Sequence, residues 1–305
     1  MDLAGRVCVR DGAENRATKL PFDIAGVVAV STGAIFARLA DAPALVIAAY
    51  RVGLAVLVIT PIAGWRVRHE LMAMSRRDLL LGLLSGFFLA MHFAAWISSL
   101  DFTSIANSVV LVNTNPLWVA MFTPLITRER ILKTTLVSVI LSVIGGIIIG
   151  AGDFALGSKA LLGDGLALLG SICAAIYLLL GRTLLRNLSL LAYIQVCYGC
   201  AAVVLWVIVI AAGLPISGFS AGTTAAFWAM ALIPQLIGHT SYNWSLKWFS
   251  ASMVAVSLLG EPIGATILGY LIFGETVTLS KFIGGGLILV AIYIAAVGEE
   301  RKRAA

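Results

Sequence analysis

Residues 250–273 read SASMVAVSLLGEPIGATILGYLIF, a stretch of 24 with one charged side chain, Glu261, at its twelfth position. About 20 apolar residues carry a helix across the hydrocarbon of a bilayer, so this stretch is long enough to span it. A carboxyl at mid-depth is costly there and has to face a cavity or a partner. The rest of the chain repeats the apolar pattern. Of its 305 residues 60 % are hydrophobic and 12 % are charged. Soluble domains are about 25 % charged, so this chain does not cover a water-facing surface. Disordered, collagen-like and small disulfide-framework chains are excluded together with the soluble fold.

Apolar runs bounded by charge, Gly and Pro predict ten spanning helices. They lie near 22–40, 43–63, 79–100, 103–126, 132–151, 162–181, 189–212, 223–246, 250–273 and 280–298. Residues 1–21 carry Arg6, Arg10, Arg16 and Lys19 with no apolar core before a cleavage site, so they read as a retained tail rather than a signal peptide. Lys and Arg set the orientation. Seventeen of the 21 fall in the two tails and the even-numbered loops; the odd loops hold Lys159, Lys281 and Arg38, and Arg51 lies inside the second segment. Both termini, including the tail 299–305, are expected on the cytoplasmic side of a bacterial inner membrane. The net charge of +6 is accounted for by orientation and lipid headgroups, and needs no nucleic acid.

Sliding the chain on itself by 146 residues aligns two segments without a gap. Ser99, Leu100 and Ser104 fall on Ser245, Leu246 and Ser250; Pro116 falls on Pro262, Leu125-Ile126 on Leu271-Ile272, Glu129 on Glu275, and Gly152 on Gly298. Apolar helices match by chance in Leu and Ile, but not in Pro, Glu, Ser and Gly in one register. The chain therefore reads as two five-helix repeats, 22–152 and 160–298. Five is odd, so the second repeat enters the membrane in the opposite sense. The predicted fold is an all-α membrane protein of ten transmembrane helices in two inverted five-helix repeats, an architecture of alternating-access transporters.

The pattern Asn107-Ser-Val-Val-Leu-Val-Asn-Thr-Asn-Pro116 followed by Glu129 resembles the fourth helix of an EamA-type repeat, and Leu258-Leu259-Gly260-Glu261-Pro262 followed by Gly274-Glu275 resembles its ninth-helix counterpart. Such repeats occur in the drug/metabolite transporter superfamily, whose ten-helix members are mostly metabolite exporters. Within it, the chain is similar to bacterial amino-acid exporters, including the YddG-type aromatic amino-acid exporters. The resemblance implies a small-molecule substrate, with an aromatic or other apolar amino acid preferred.

Polar residues inside the apolar segments nominate a site. Asn115-Pro116 and Glu261-Pro262 occupy equivalent, inverted positions. Each proline lacks an N–H and disrupts the bond to the carbonyl four residues back, Val112 or Leu258, leaving that carbonyl open to a ligand. Glu261 can meet a substrate ammonium or carry a proton; its bland role is a hydrogen bond across a helix interface. His92, Trp96 and Ser99 share a face of the third segment, and His239 shares one with Tyr242 and Asn243 on the eighth, where Gln235 lies a turn earlier. Such stripes suit a zwitterion with an apolar side chain, and they also occur as plain interhelical packing. Tyr177 is a further cavity candidate. Arg51, about 12 Å into its helix at ~1.5 Å per residue, can attract a carboxylate or pair with an acid; snorkelling outward is favoured. The candidate substrate-binding set is His92, Trp96, Asn115, Tyr177, His239, Asn243 and Glu261.

Other features are assigned to packing. Cys197-Tyr-Gly-Cys200 lies in an apolar run with no partner His or second cysteine pair, and Gly82-x-x-x-Gly86, Gly260-x-x-x-Gly264 and Gly284-Gly285-Gly286 read as sites of close helix approach. No phosphate-loop spacing supports nucleotide hydrolysis. No metal or cofactor is expected, and one chain supplying both halves needs no obligate protein partner, so a monomer suffices. Rival readings are a multidrug carrier, a carrier of anionic metabolites such as sugar phosphates or nucleotide sugars, and a membrane-embedded enzyme. Anions want several cavity cations, and an enzyme wants a convergent nucleophile or metal set.

Overall fold

The computed structural model describes residues 20–103, 105–127, 131–150, 158–274 and 279–304. Ser104, Glu129, Gly152, Glu275 and the N-terminal tail to Lys19 lie outside the described residues. Among the described residues every regular element is a helix. In chain order these are α1 (Leu20–Ser31), α2 (Gly33–Leu39), α3 (Ala44–Arg66), α4 (Arg68–Ala73), α5 (Arg76–Ser99), α6 (Ile105–Val112), α7 (Asn115–Ile126) and α8 (Lys133–Gly150). There follow α9 (Ser158–Leu184), α10 (Leu190–Ala211), α11 (Ala221–Met230), a π-helical stretch Ala231–His239, α12 (Thr240–Ser245), α13 (Ala251–Ser257), α14 (Gly260–Phe273) and α15 (Leu279–Ala304).

Six stretches are long and apolar enough to cross a membrane: Ala44–Arg66, Arg76–Ser99, Leu161–Leu184, Leu190–Ala211, Ala221–Ser245 and Ala251–Phe273. Ala25–Leu39, Asn115–Ile126, Lys133–Gly145 and Phe282–Ala295 are shorter apolar helices. The protein is a multi-pass, all-helical membrane protein. Its outward faces carry large apolar side chains, among them Leu57, Leu125, Val207, Leu271 and Tyr293, an arrangement that suits lipid rather than water.

Helix starts follow local chemistry. The side chains of Ser75, Ser189, Ser220 and Ser250 accept the N–H three residues on, at 3.1–3.2 Å, which satisfies a donor that the first turn would leave orphaned. Gly274 closes α14 in the left-handed region at φ 67°, where a side chain would be strained. α15 continues through the charged C-terminal segment to Ala304, so the expected tail from 299 is helical up to that point. The second loop holds an unexpected short helix, α4, whose Glu70 accepts the Ser189 N–H at 2.6 Å.

Several single runs in the sequence are composite helices. The fourth breaks between α6 and α7 at Asn113-Thr114, and the ninth breaks between α13 and α14 at Leu258-Leu259. Both breaks immediately precede Asn115-Pro116 or Gly260-Glu261-Pro262, as expected of residues that cannot continue the ladder.

Small residues let the helices approach. Lipid chains are as apolar as leucine, so association in a bilayer depends on close packing. A Cβ on Gly86 would collide with the Cys197 carbonyl and stand 2.7 Å from the Cys200 Cβ, and one on Gly82 would stand 2.9 Å from Val196. The C-x-x-C pair is thus the floor on which α5 lies against α10. α5 also packs along α9, α3 packs on α10, α8 on α15, and α1 on the π-helical stretch and on α14.

Candidate functional site

A cavity of about 40 Å³ lies where the two broken helices meet α3, α5, α9 and the eighth segment. Its walls include Arg51, His92, Trp96, Asn113, Asn115, Tyr177, His239, Tyr242 and Glu261. That space holds a few water molecules at about 10–15 Å³ each, so an organic solute enters only if the walls part.

Arg51 is buried, with 1 % of its surface exposed, and this corrects the expectation that it snorkels. Its Nε donates to Gln235 Oε1 at 2.9 Å. The guanidinium lies over the Phe93 ring, 4.1 Å from the centroid, and within 5.9 Å of the Trp96 ring. These aromatic faces offset part of the cost of burying the cation. Nη1 has no hydrogen-bond partner among the described residues. Gln235 comes from the π-helical stretch, a winding that recurs at functional sites; the Thr240 N–H there reaches the Gln235 carbonyl, five residues back.

His92 Nδ1 lies 2.9 Å from the Gly170 carbonyl. A carbonyl only accepts, so Nδ1 carries the hydrogen, and Nε2 of the neutral ring is left as an acceptor. The ring stacks on Trp96 at 6.0 Å between centroids and 7° between planes. His239 completes the aromatic wall, 5.1 Å from the Phe93 ring and 6.2 Å from His92. Tyr177 donates to Asn243 Oδ1 at 2.7 Å, and Asn243 Nδ2 donates to the Tyr198 hydroxyl at 3.0 Å.

The two breaks supply the opposite wall. Glu261 follows the Leu258-Leu259 break and shares the cavity wall with Arg51 and Asn113. Asn113 Nδ2 donates to the Val109 carbonyl at 2.8 Å. Asn115 is buried with Oδ1 unpartnered among the described residues. The Leu258 carbonyl, expected to be released by Pro262, instead accepts the Glu261 N–H at 2.9 Å. It lost its partner four residues on and gained the one three residues on.

The cavity thus brings together His92, Trp96, Asn115, Tyr177, His239 and Glu261. Asn243 lies behind the wall, where it holds the Tyr177 hydroxyl. Ser99, on the same expected stripe as His92, turns instead to the Trp96 carbonyl at 2.6 Å and to Ser108 at 2.5 Å. Sequence reasoning did not place Tyr198 or Asn113 at the site. An amide two residues from Asn115 at a predicted helix break was the available signal for Asn113; nothing in its apolar run marked Tyr198.

Comparison with known proteins accords with this architecture. The model of the EamA-like transporter family matches residues 21–151 and again 161–297. The chain belongs to that family. Relatives with curated names include an uncharacterized transporter of Clostridium kluyveri, 25 % identical over 205 residues that make up 64 % of this chain and 65 % of that protein. Another, from Archaeoglobus fulgidus, is 26 % identical over 189 residues, 61 % of this chain and 65 % of its own length. The uncharacterized transporter YyaM of Bacillus subtilis is 23 % identical over 208 residues, 66 % of this chain and 68 % of that one. The chain thus spans about two thirds of the length of these relatives. A solved crystal structure shares the fold with a TM-score of 0.77 at 16 % identity, covering 93 % of this chain and 98 % of the other.

Proposed function

We propose that this EamA-family chain is a carrier that exports small organic metabolites, amino acids with an aromatic or other apolar side chain foremost, by alternating access between two inverted halves. The observation that carries the reading is the cavity itself: an acid and a cation face it between aromatic walls, and a broken helix from each half lines it. A zwitterion with an apolar body has that same distribution of groups. The narrower likeness to YddG-type aromatic amino-acid exporters adds to the choice of substrate.

The ten-crossing, two-repeat architecture draws support from three sides. The family model matches the chain twice. The ten apolar helices, six long and four shorter, follow the ten segments of the sequence. The packing also comes in pairs five segments apart. The third segment (α5) lies on the sixth (α9) and seventh (α10), as the eighth lies on the first (α1) and second (α3). Paired repeats with a site between broken helices support alternation about that site. The cytoplasmic placement of both termini in a bacterial inner membrane rests on the Lys and Arg distribution, and a monomer suffices.

A carrier of anionic metabolites is less well supported, because Arg51 is the one Lys or Arg on the cavity wall among the described residues. The transporter names of the relatives weigh against a membrane-embedded enzyme. The test is exchange of labelled phenylalanine across proteoliposomes that contain the purified chain. Saturable exchange, inhibited by other apolar amino acids, is expected. No exchange of any amino acid above protein-free liposomes would overturn the substrate assignment.

A further inference from the structure

Four polar groups on the cavity wall divide by chemistry and by origin. Trp96 Nε1 and Arg51 Nη1 are buried, lack a partner among the described residues, and can only donate. They come from α5 and α3. Asn115 Oδ1, also buried and unpartnered among the described residues, is an acceptor, as are the oxygens of the Glu261 carboxyl; they come from the starts of α7 and α14, at the two breaks. A buried donor or acceptor left without a partner costs roughly 1–3 kcal/mol in a folded protein. Unmet groups of both kinds around one cavity therefore mark what a ligand has to bring.

We infer that the cavity reads its solute by polarity: a carboxylate docks against Arg51 and Trp96, and an ammonium on the neighbouring carbon docks against Glu261 and Asn115. Gln235 is a positioning residue in this scheme. Its Oε1 holds Arg51 Nε, so the unpartnered Nη1 stays available to the solute. The stacked His92 and Trp96 rings and Tyr177 then flank the side chain of the solute. A free α-amino acid satisfies both walls at once, whereas an amine or a carboxylic acid alone leaves one wall unmet. This deepens the transport reading by fixing the solute's orientation, and it is testable without transport.

The test is calorimetric titration of the purified full-length chain in detergent with three probes: phenylalanine, phenethylamine, which lacks the carboxylate, and 3-phenylpropionate, which lacks the amine. Phenylalanine is expected to bind about tenfold or more tighter than either half-ligand. Arg51→Gln should weaken phenylalanine and 3-phenylpropionate about tenfold and leave phenethylamine within about twofold. Glu261→Gln should weaken phenylalanine and phenethylamine and spare 3-phenylpropionate. Trp96→Phe keeps the ring but removes the donor. It should give a weaker copy of the Arg51 pattern, and it decides the matter if Arg51→Gln does not fold. Equal weakening of all three probes, half-ligands that bind as tightly as phenylalanine, or no binding of any probe would overturn the inference. A flat binding pattern beside active exchange would sink the orientation alone. The expected pattern without exchange would sink the transport reading instead.

Discussion

The two helix breaks are built alike and equipped differently. α6 yields to α7 at Asn113-Thr114, and α13 yields to α14 at Leu258-Leu259, each just before a proline and each facing the cavity. The first break presents a neutral amide, Asn115, with an unpartnered oxygen. The second presents an acid, Glu261, with its N–H stitched to the Leu258 carbonyl and Arg51 on the wall of the same cavity. The backbone device is duplicated while the charge is not. A site between two breaks so equipped has a direction, which one between identical breaks would lack.

Making the breaks alike should therefore cost the most. Glu261→Gln leaves amides on both sides, and removing the charged partner of a buried solute ammonium costs about 2–5 kcal/mol. The expected result is a fall of roughly 30-fold or more in the initial rate of phenylalanine exchange, read in proteoliposomes. An unchanged rate would remove the asymmetry from the mechanism. A smaller effect is expected where the second break packs on α1. A Cβ on Gly264 would run into Ser31, so Gly264→Leu overpacks that contact and should cost about 1–3 kcal/mol, read as a lower thermal midpoint in detergent. The equivalent position at the first break is Trp118, a different contact altogether, so Trp118→Leu should not reproduce the shift. The smallest effect belongs to the neutral break. Asn115→Ala removes one acceptor, and a net hydrogen bond is worth about 0.5–1.5 kcal/mol, so phenylalanine affinity by titration should fall by no more than about tenfold.

The sequence made the positions of the breaks legible because proline acts locally, through its own missing N–H. Glycine pairs were legible for a related reason: Gly82 and Gly86 have no side chain to place, and the structure puts Val196, Cys197 and Cys200 directly against them. Arg51 was not legible in the same way. Helical rise gives its depth, but its environment depends on Phe93, Trp96 and Gln235, which belong to other helices. Asn243 shows the limit of reading faces by period. Its stretch follows a π-helical segment, where hydrogen bonds reach five residues back rather than four. His239 and Tyr242 of the predicted stripe stay on the cavity wall, while Asn243 ends up bracing Tyr177 from behind.

α1 runs in a slot to which glycines lend bare backbone at three points. Gly238 faces Val30 on one side, and Gly260 and Gly264 face Val27 and Ser31 on the other. The side chains of Val30, Val27 and Ser31 nest in these hollows, so α1 sits closer to both neighbours than a side chain there would allow. Ser31 Oγ also reaches the Glu261 carbonyl at 3.3 Å, which couples the seating of α1 to the backbone that carries the acid. A single methyl group on either wall of the slot would therefore lift α1 away from that backbone and reach the acid from outside the cavity.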